Sequence, residues 1–252
     1  MQQAVELHDD EALFKDQPLP GNCPICLLPL PLKKERSVFY TCCGSMICNG
    51  CIHRIFIRHA SEGNLRPPCP YCRSKPVSSA ESIDRIKNLM NSGNAYAFNM
   101  LAKYYEDGDC VNIPRNFAKA NELYIKAGEL GCAEAYFNLG NSYKDGNDGV
   151  DIGIKKAKHY WELAAKNGDV DARYNLGFVE HLLGNHLRAA RHYTLAAKMG
   201  HDDSFDILGE FVCKGVVTRD DYNSISRAYQ QRCDEMQSMD RVEAEKFSEN
   251  VT

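Results

Sequence analysis

"CAEAYFNLGNSYKDG", residues 132–146, is one of four versions of a single phrase. "NAYAFNMLAKYYEDG" begins at Asn94, "DVDARYNLGFVEHLLG" at Asp169 and "HDDSFDILGEFVCKG" at His201. Leu101, Leu139, Leu176 and Leu208 hold equivalent places, 38, 37 and 32 residues apart. Four positions before each stands a small side chain: Ala97, Ala135, Ala172 and Ser204. Between the phrases lie "AKANELYIKAGELG", "AKHYWELAAKNG" and "RAARHYTLAAKMG", closing on Gly131, Gly168 and Gly200. Counted back from those glycines, Ala120, Ala157 and Ala189 coincide, as do Tyr124, Trp161 and Tyr193, and Ala127, Ala164 and Ala196. The aromatic and the nearer alanine are about one helical turn apart, so they share a face. Small residues let two helices approach, an aromatic from each pair fills the remaining gap, and the glycines suit left-handed C-caps. A period of this length predicts an α/α solenoid of three full hairpins and a partial fourth.

The pattern A-x-A-x-x-x-L-G followed by K-A-x-x-x-x-x-A-A-x-x-G resembles the SEL-1-like repeats, relatives of the tetratricopeptide fold, over about residues 94–215. The positions just named are core. A partner protein or peptide would then lie in the repeat groove, on variable positions of the concave face that periodicity does not identify.

Cysteine usage divides the chain. Of twelve cysteines, eight fall between Cys23 and Cys72. The first twenty residues contain acidic side chains and no apolar run, so no secretory leader is expected. In a reducing, intracellular setting (cytoplasm or nucleus), a tight cluster signals metal more often than disulfides. No run approaches eighteen apolar residues, which argues against a membrane-spanning helix. Residues 20–76 carry eight Lys and Arg against Glu35 and Glu62, a charge of +6, while the whole chain is at −4. A basic module is joined to an acidic body. Its basic residues lack interleaved aromatics for base stacking, so nucleic acid ranks below a protein partner.

The cluster reads Cys23-Pro-Ile-Cys26, Cys42-Cys43, Cys48-Asn-Gly-Cys51 and Cys69-Pro-Tyr-Cys72. A C-x2-C knuckle lets two thiolates reach one tetrahedral Zn²⁺, and two knuckles close a structural site. Three knuckles within fifty residues are a strong metal signal. Zinc would also supply folding energy to a region poor in large apolar side chains.

This order of ligand pairs resembles the RING-finger family. The resemblance implies a cross-brace with two structural Zn²⁺, the first and third pairs on one ion and the second and fourth on the other. Carried over, Cys23, Cys26, Cys48 and Cys51 form site one, and Cys69 and Cys72 half of site two. The family's histidine position is occupied by Ser45, a hard, weakly acidic ligand ill suited to zinc. Cys43 aligns with the third ligand. For the remaining place Cys42 is preferred, with Gly44 supplying the bend that adjacent ligands need, and His53 is the rival. The RING-plus-repeat layout is similar to RING-plus-SEL-1-like proteins of diatoms, which implies a ubiquitin ligase of unassigned target. In such a ligase a ubiquitin-conjugating enzyme would dock on Ile25, Ile55 and Pro70, and Arg73 would orient ubiquitin. Each of these has a plainer structural reading, and the class-level alternative is a non-catalytic, zinc-stabilised adaptor.

The expected organisation is therefore mostly α. A polar tail (1–19) precedes the RING-type zinc module (20–76) and a capping helix (77–93). Three repeats (94–131, 132–168, 169–200), a partial fourth (201–219) and a C-terminal helix with a fraying tail (220–252) follow.

Overall fold

The computed structural model describes residues 11–15, 18, 21–63, 66–108, 113–146 and 153–249. Residues 1–10 of the expected tail and Cys110 lie outside them. The N-terminal module is a hairpin followed by a helix. Strands β1 (Ser37–Tyr40) and β2 (Ser45–Cys48) pair antiparallel, with Ser37 opposite Cys48 and Tyr40 opposite Ser45. Helix α1 (Asn49–Ala60) starts directly from β2. Helix α2 (Ser79–Asn91) opens with a capping box. There the Ser78 hydroxyl accepts from Glu81 N–H, and the Glu81 carboxylate accepts from Ser78 N–H at 3.0 Å. Its Ile86 is fully buried against Ala97 and Leu101, so α2 docks on the first repeat.

Four helix hairpins follow: α3 (Ala95–Asp107) with α4 (Phe117–Glu129), α5 (Ala133–Asp145) with α6 (Ile154–Lys166), α7 (Val170–Leu182) with α8 (His186–Lys198), and α9 (Asp202–Cys213) with α10 (Arg219–Met236). The leucines, alanines, aromatics and Ser204 named above are all buried. The second helices of the first three hairpins end alike. Gly131, Gly168 and Gly200 have φ of +95°, +91° and +97°. The next residue's N–H reaches back to the carbonyl of Ala127, Ala164 or Ala196 at 2.9–3.1 Å. This is the Schellman closure, in which left-handed glycine turns the chain toward the next hairpin.

A close approach within the hairpins explains the Leu-Gly pairs. A Cβ on Gly140 would meet the Trp161 ring at 2.5 Å, and one on Gly177 the Tyr193 ring at 2.8 Å. In the fourth hairpin the match is looser: a Cβ on Gly209 would stand 3.5 Å from the Tyr222 hydroxyl. The fourth unit was expected to be partial, but α10 completes it. Ile225 joins Phe211 in its core, and Tyr229 stacks on Phe205 at 4.3 Å. These side chains replace the alanine–aromatic signature of the earlier units.

Both ends of the chain depart from expectation. Instead of one long final helix, the backbone is extended at Gln237, and α11 (Met239–Glu249) folds back along α1. Gly50 leaves the notch for it, since a Cβ there would lie 2.8 Å from Arg241 N. Phe247 covers His53 and Phe56, with ring centroids 5.2 and 6.1 Å away. Arg54–Asp240 (3.1 Å) and Arg36–Glu245 (2.9 Å) flank the contact. At the other end, Leu13 is not part of a solvated tail. It is 2 % exposed and belongs to the core around Trp161 and Leu176. Two adjacent apolar residues carry no periodicity, so nothing local marks them as core. Among the described residues no helix is long and apolar enough to cross a membrane.

One buried group carries a pH consequence. His192 in α8 is fully buried, and neither ring nitrogen has a hydrogen-bond partner among the described residues. Burial, reinforced by Arg173, Arg188, Lys158 and Arg191, holds its pKa down to about 2. Below about 6.5 the unfolded chain takes up a proton that the folded chain refuses. Stability therefore falls as pH drops from about 6.5, by up to about 1.4 kcal/mol per unit. Replacing His192 by Leu should flatten the melting temperature's dependence on pH between 4.5 and 6.5, read by circular dichroism. In the same assay Gly140→Ala should cost about 1–3 kcal/mol through overpacking on Trp161. Gly209→Ala, with room for its methyl and a helix-propensity gain, should be neutral or stabilising by up to about 1 kcal/mol.

Candidate metal centres

Two knuckles in the N-terminal module share one backbone design. Leu27 N–H donates to Cys23 O, and Cys23 N–H to Leu28 O, each at 2.9 Å. Arg73 N–H donates to Cys69 O, and Cys69 N–H to Ser74 O, at the same 2.9 Å. Leu27 and Arg73, each just past a knuckle, both sit at φ +61°. A left-handed residue with a side chain costs roughly 1–2 kcal/mol. Having it at the same place in both loops shows that the bend is imposed by where the thiols must point. The third pair is held differently. Cys48 is the residue preceding helix α1 and Cys51 lies in its first turn, so both sulfurs stand at the helix N-terminus, where thiolate charge is favoured.

The remaining pair comes from the hairpin turn. Gly44 has φ +67°, and its N–H donates to Tyr40 O at 2.8 Å. That tight turn lets Cys42 and Cys43 face one point. Gly44 is also pressed against the start of the repeats. Asn94, which caps α3, donates from Nδ2 to Gly44 O at 3.2 Å.

The eight sulfurs assemble as two groups of four, Cys23, Cys26, Cys48 and Cys51, and Cys42, Cys43, Cys69 and Cys72. Within each group all sulfurs lie within 4.8 Å of one another. Pair separations are 3.9 Å for Cys23–Cys51, 3.7 Å for Cys26–Cys48 and 3.9 Å for Cys43–Cys69. Four thiolates about 2.3 Å from a tetrahedral Zn²⁺ stand about 3.8 Å apart, so these dimensions fit such an ion. Cys42–Cys72 is tighter at 3.3 Å, and Cys42–Cys43 is 4.0 Å. His53 joins neither group, and its ring lies against Phe247. Ser45 hydrogen-bonds to the Cys43 sulfur, beside the ligand set rather than in it.

The metal-free thiols are not equivalent. Burial and crowding by neighbouring sulfurs push Cys42 and Cys51 well above the usual thiol range. Burial also raises Cys43 and Cys48. Burial works the same way on Cys23, but N–H groups of Cys26 and Cys48 outweigh it and bring the thiol to about 7. Hydrogen bonds from Ser74 likewise bring Cys72 to about 6. Each group therefore holds protons at neutral pH that a metal must displace.

A further contact was not legible in the local sequence. Arg241 of α11 is 3 % exposed. Its Nη1 donates to Pro29 O at 2.8 Å and to Met236 O, and its Nη2 lies 3.7 Å from Cys26 Sγ. The same guanidinium draws the Cys48 thiol downward against burial. Charge-assisted donors to a ligating sulfur orient it and offset its negative charge. Site one thus takes its outer layer from a residue 215 positions away from Cys26 in the chain.

Ile25, Ile55 and Pro70 are each partly exposed, and Arg73 is exposed. At about 100° per residue, Ile55 projects from the side of α1 away from Gly50, Arg54 and the helix that covers them.

Native mass spectrometry should find two zinc ions on the intact chain. Cys42→Ser should lose one, whereas His53→Ala and Cys132→Ser keep both. Arg241→Met should weaken site one by roughly tenfold in a competitive chelator titration, with site two unchanged.

A family model for the Sel1 repeat matches residues 95–132, 133–169 and 170–201. Chitin synthase regulatory factor 4 of Schizosaccharomyces pombe is 26% identical over 135 residues, covering 53% of this chain and 21% of that protein. This chain thus spans about a fifth of that curated relative's length. The crystal structure of a Sel1 repeat protein from Oxalobacter formigenes superposes with a TM-score of 0.51 at 23% identity, over 61% of this chain and 65% of that one. The protective antigen c5321 of uropathogenic Escherichia coli, described as having an SLR fold, gives 0.47 at 22% identity over 60% and 33%. At these identities the likeness concerns fold alone. The helical body, residues 95–201, is an array of three Sel1 repeats.

Proposed function

We propose that this protein is an intracellular RING-type ubiquitin ligase whose two four-thiol groups hold structural zinc. A conjugating enzyme docks on Ile25, Ile55 and Pro70, Arg73 orients the ubiquitin thioester, and the repeats select the protein target. Such a ligase has no nucleophile of its own, and its contribution is to hold two reactants in a productive pose. The observation that carries the reading is the division of α1 into two faces. One face is covered by α11, while Ile55, on the other, is partly exposed, as are the knuckle residues Ile25 and Pro70. Arg73 is exposed on a bend fixed by its own N–H bond to Cys69 O. Its planar fork suits donation to two partners together.

The repeats supply the other half. Stacked hairpins present a continuous surface suited to protein contact, and Asn94, the cap of α3, ties that surface to the zinc module through its contact with Gly44.

Autoubiquitination with a panel of conjugating enzymes tests the proposal. The intact chain should be active with at least one enzyme. Ile25→Ala and Arg73→Ala should each reduce the rate by roughly tenfold or more, as truncation of an interface anchor does, with zinc content unchanged. Inactivity with every enzyme, both metals bound, would leave the zinc-stabilised adaptor as the function.

A further inference from the structure

The N-terminal segment lies on the repeats as a ligand would. Leu13 enters the core formed by Trp161, Ala164, Ala172 and Leu176, between the second and third repeats. Phe14 is held beside it by α8. The Arg191 guanidinium stands 3.8 Å from its ring centroid, the His192 ring 4.6 Å and the Arg188 guanidinium 5.4 Å. Three residues beyond Lys15, the Pro18 carbonyl closes on Gly168, where a Cβ would meet its oxygen at 2.5 Å. Beyond Phe14 the same surface continues as an open cleft of about 460 Å³, lined by Leu187, Ala190, Thr194, Val216 and Ile225.

The fit is incomplete in one respect. Behind Leu13 and Phe14 lie two polar side chains that the segment leaves unanswered. Arg173 is 2 % exposed, with Nε and Nη1 lacking partners among the described residues, and its Nη2 makes only a long 3.5 Å contact to Ala165 O. His192 is fully buried and has no hydrogen bond at either nitrogen. Burying such groups without partners is costly. Lys158, Arg188 and Arg191 add positive charge around them, and Glu162 and Glu180 are acidic residues among those described that face this set. A ligand bringing a carboxylate to Arg173 beside its apolar pair would satisfy what residues 11–15 do not.

We propose that this surface, between the second and third repeats, is a peptide-binding site for a leucine–aromatic pair flanked by a carboxylate, and that residues 11–15 occupy it as an intramolecular stand-in. A partner peptide then competes with a tethered segment of high effective concentration, so binding is weak until the segment is displaced. The inference deepens the role of the repeats in target selection. It concerns binding alone, so it stands or falls separately from ubiquitin transfer.

The test uses the full chain and a fluorescent peptide of residues 9–18, DDEALFKDQP. Freeing the site with Leu13→Ser and Phe14→Ser should raise peptide affinity by roughly tenfold or more over the unaltered chain. Trp161, the chain's single tryptophan, should shift its emission to the red in that variant and return when peptide is added. Adding Arg191→Ala to the freed chain should weaken binding. So should a peptide with Asn-Asn-Gln for Asp-Asp-Glu, and one with Ser-Ser for Leu-Phe should not bind. Should the freed chain unfold, excess peptide added to the unaltered chain should still deprotect residues 11–15 in hydrogen exchange while α6 and α8 stay protected. Equal affinities for freed and unaltered chains, binding of the Ser-Ser peptide, or no exchange response would overturn the proposal. A dimer in sedimentation that disappears with Leu13→Ser and Phe14→Ser would also overturn it, because a second copy would then be the occupant.

Discussion

Bringing eight sulfurs to two points is the constraint around which the rest of this molecule is arranged. The buried core of the N-terminal module consists of Ile47 and the cysteines Cys23, Cys48, Cys51 and Cys69. Burial of that little apolar surface cannot hold about fifty residues together. The backbone is instead bent wherever the thiols require it. Leu27 and Arg73 are placed in left-handed conformations, the hairpin turns on Gly44, and α1 begins where Cys48 and Cys51 must stand. Four thiols packed this closely do not all ionise unless a metal shares their charge. With such a metal bound, the module's fold and its metal content would be one equilibrium.

That equilibrium reaches well beyond the module. The hairpin turn that carries Cys42 and Cys43 also receives Asn94, the cap of the first repeat helix. On the other side, α11 returns from the far end of the solenoid to set Arg241 beside Cys26 and Phe247 over α1. The N-terminal segment crosses to the second and third repeats. The chain is thereby closed on itself at three places rather than strung as two beads. Docking of the module on the repeats at two separate surfaces fixes the direction in which the Ile55 face of α1 points relative to the repeat surface. The proposed ligase activity would depend on such a fixed relation, since it works by orientation.

Much of this architecture was legible in residues alone. The alanines, aromatics and terminal glycines of the repeats recur because every unit solves the same packing problem. The leucines, alanines and aromatics read as core are buried, while the closing glycine Gly131 is exposed at its turn. Knuckle spacing marks the cysteines as metal ligands, their division into two groups of four is what the resemblance to the RING-finger family implied, and the spare thiol of Cys42 was available because it is adjacent to Cys43. Where reading failed, the signal was absent for a physical reason. The second helix of the fourth hairpin packs on α8 and α9 through Ile225 and Tyr229, larger side chains that stand in place of the alanine–aromatic signature.

The sequence by itself determined the units: repeat hairpins from their period and candidate metal knuckles from cysteine spacing. These are local, since each depends on residues within one or two helical turns. Only the tertiary structure decided that Leu13 is core, that Gly50 is a notch for a helix and that Arg241 belongs to a metal site. Those roles arise between residues dozens to hundreds of positions apart, where a leucine, a glycine or an arginine looks no different from one in solvent. What gives them meaning is the partner that folding brings to them.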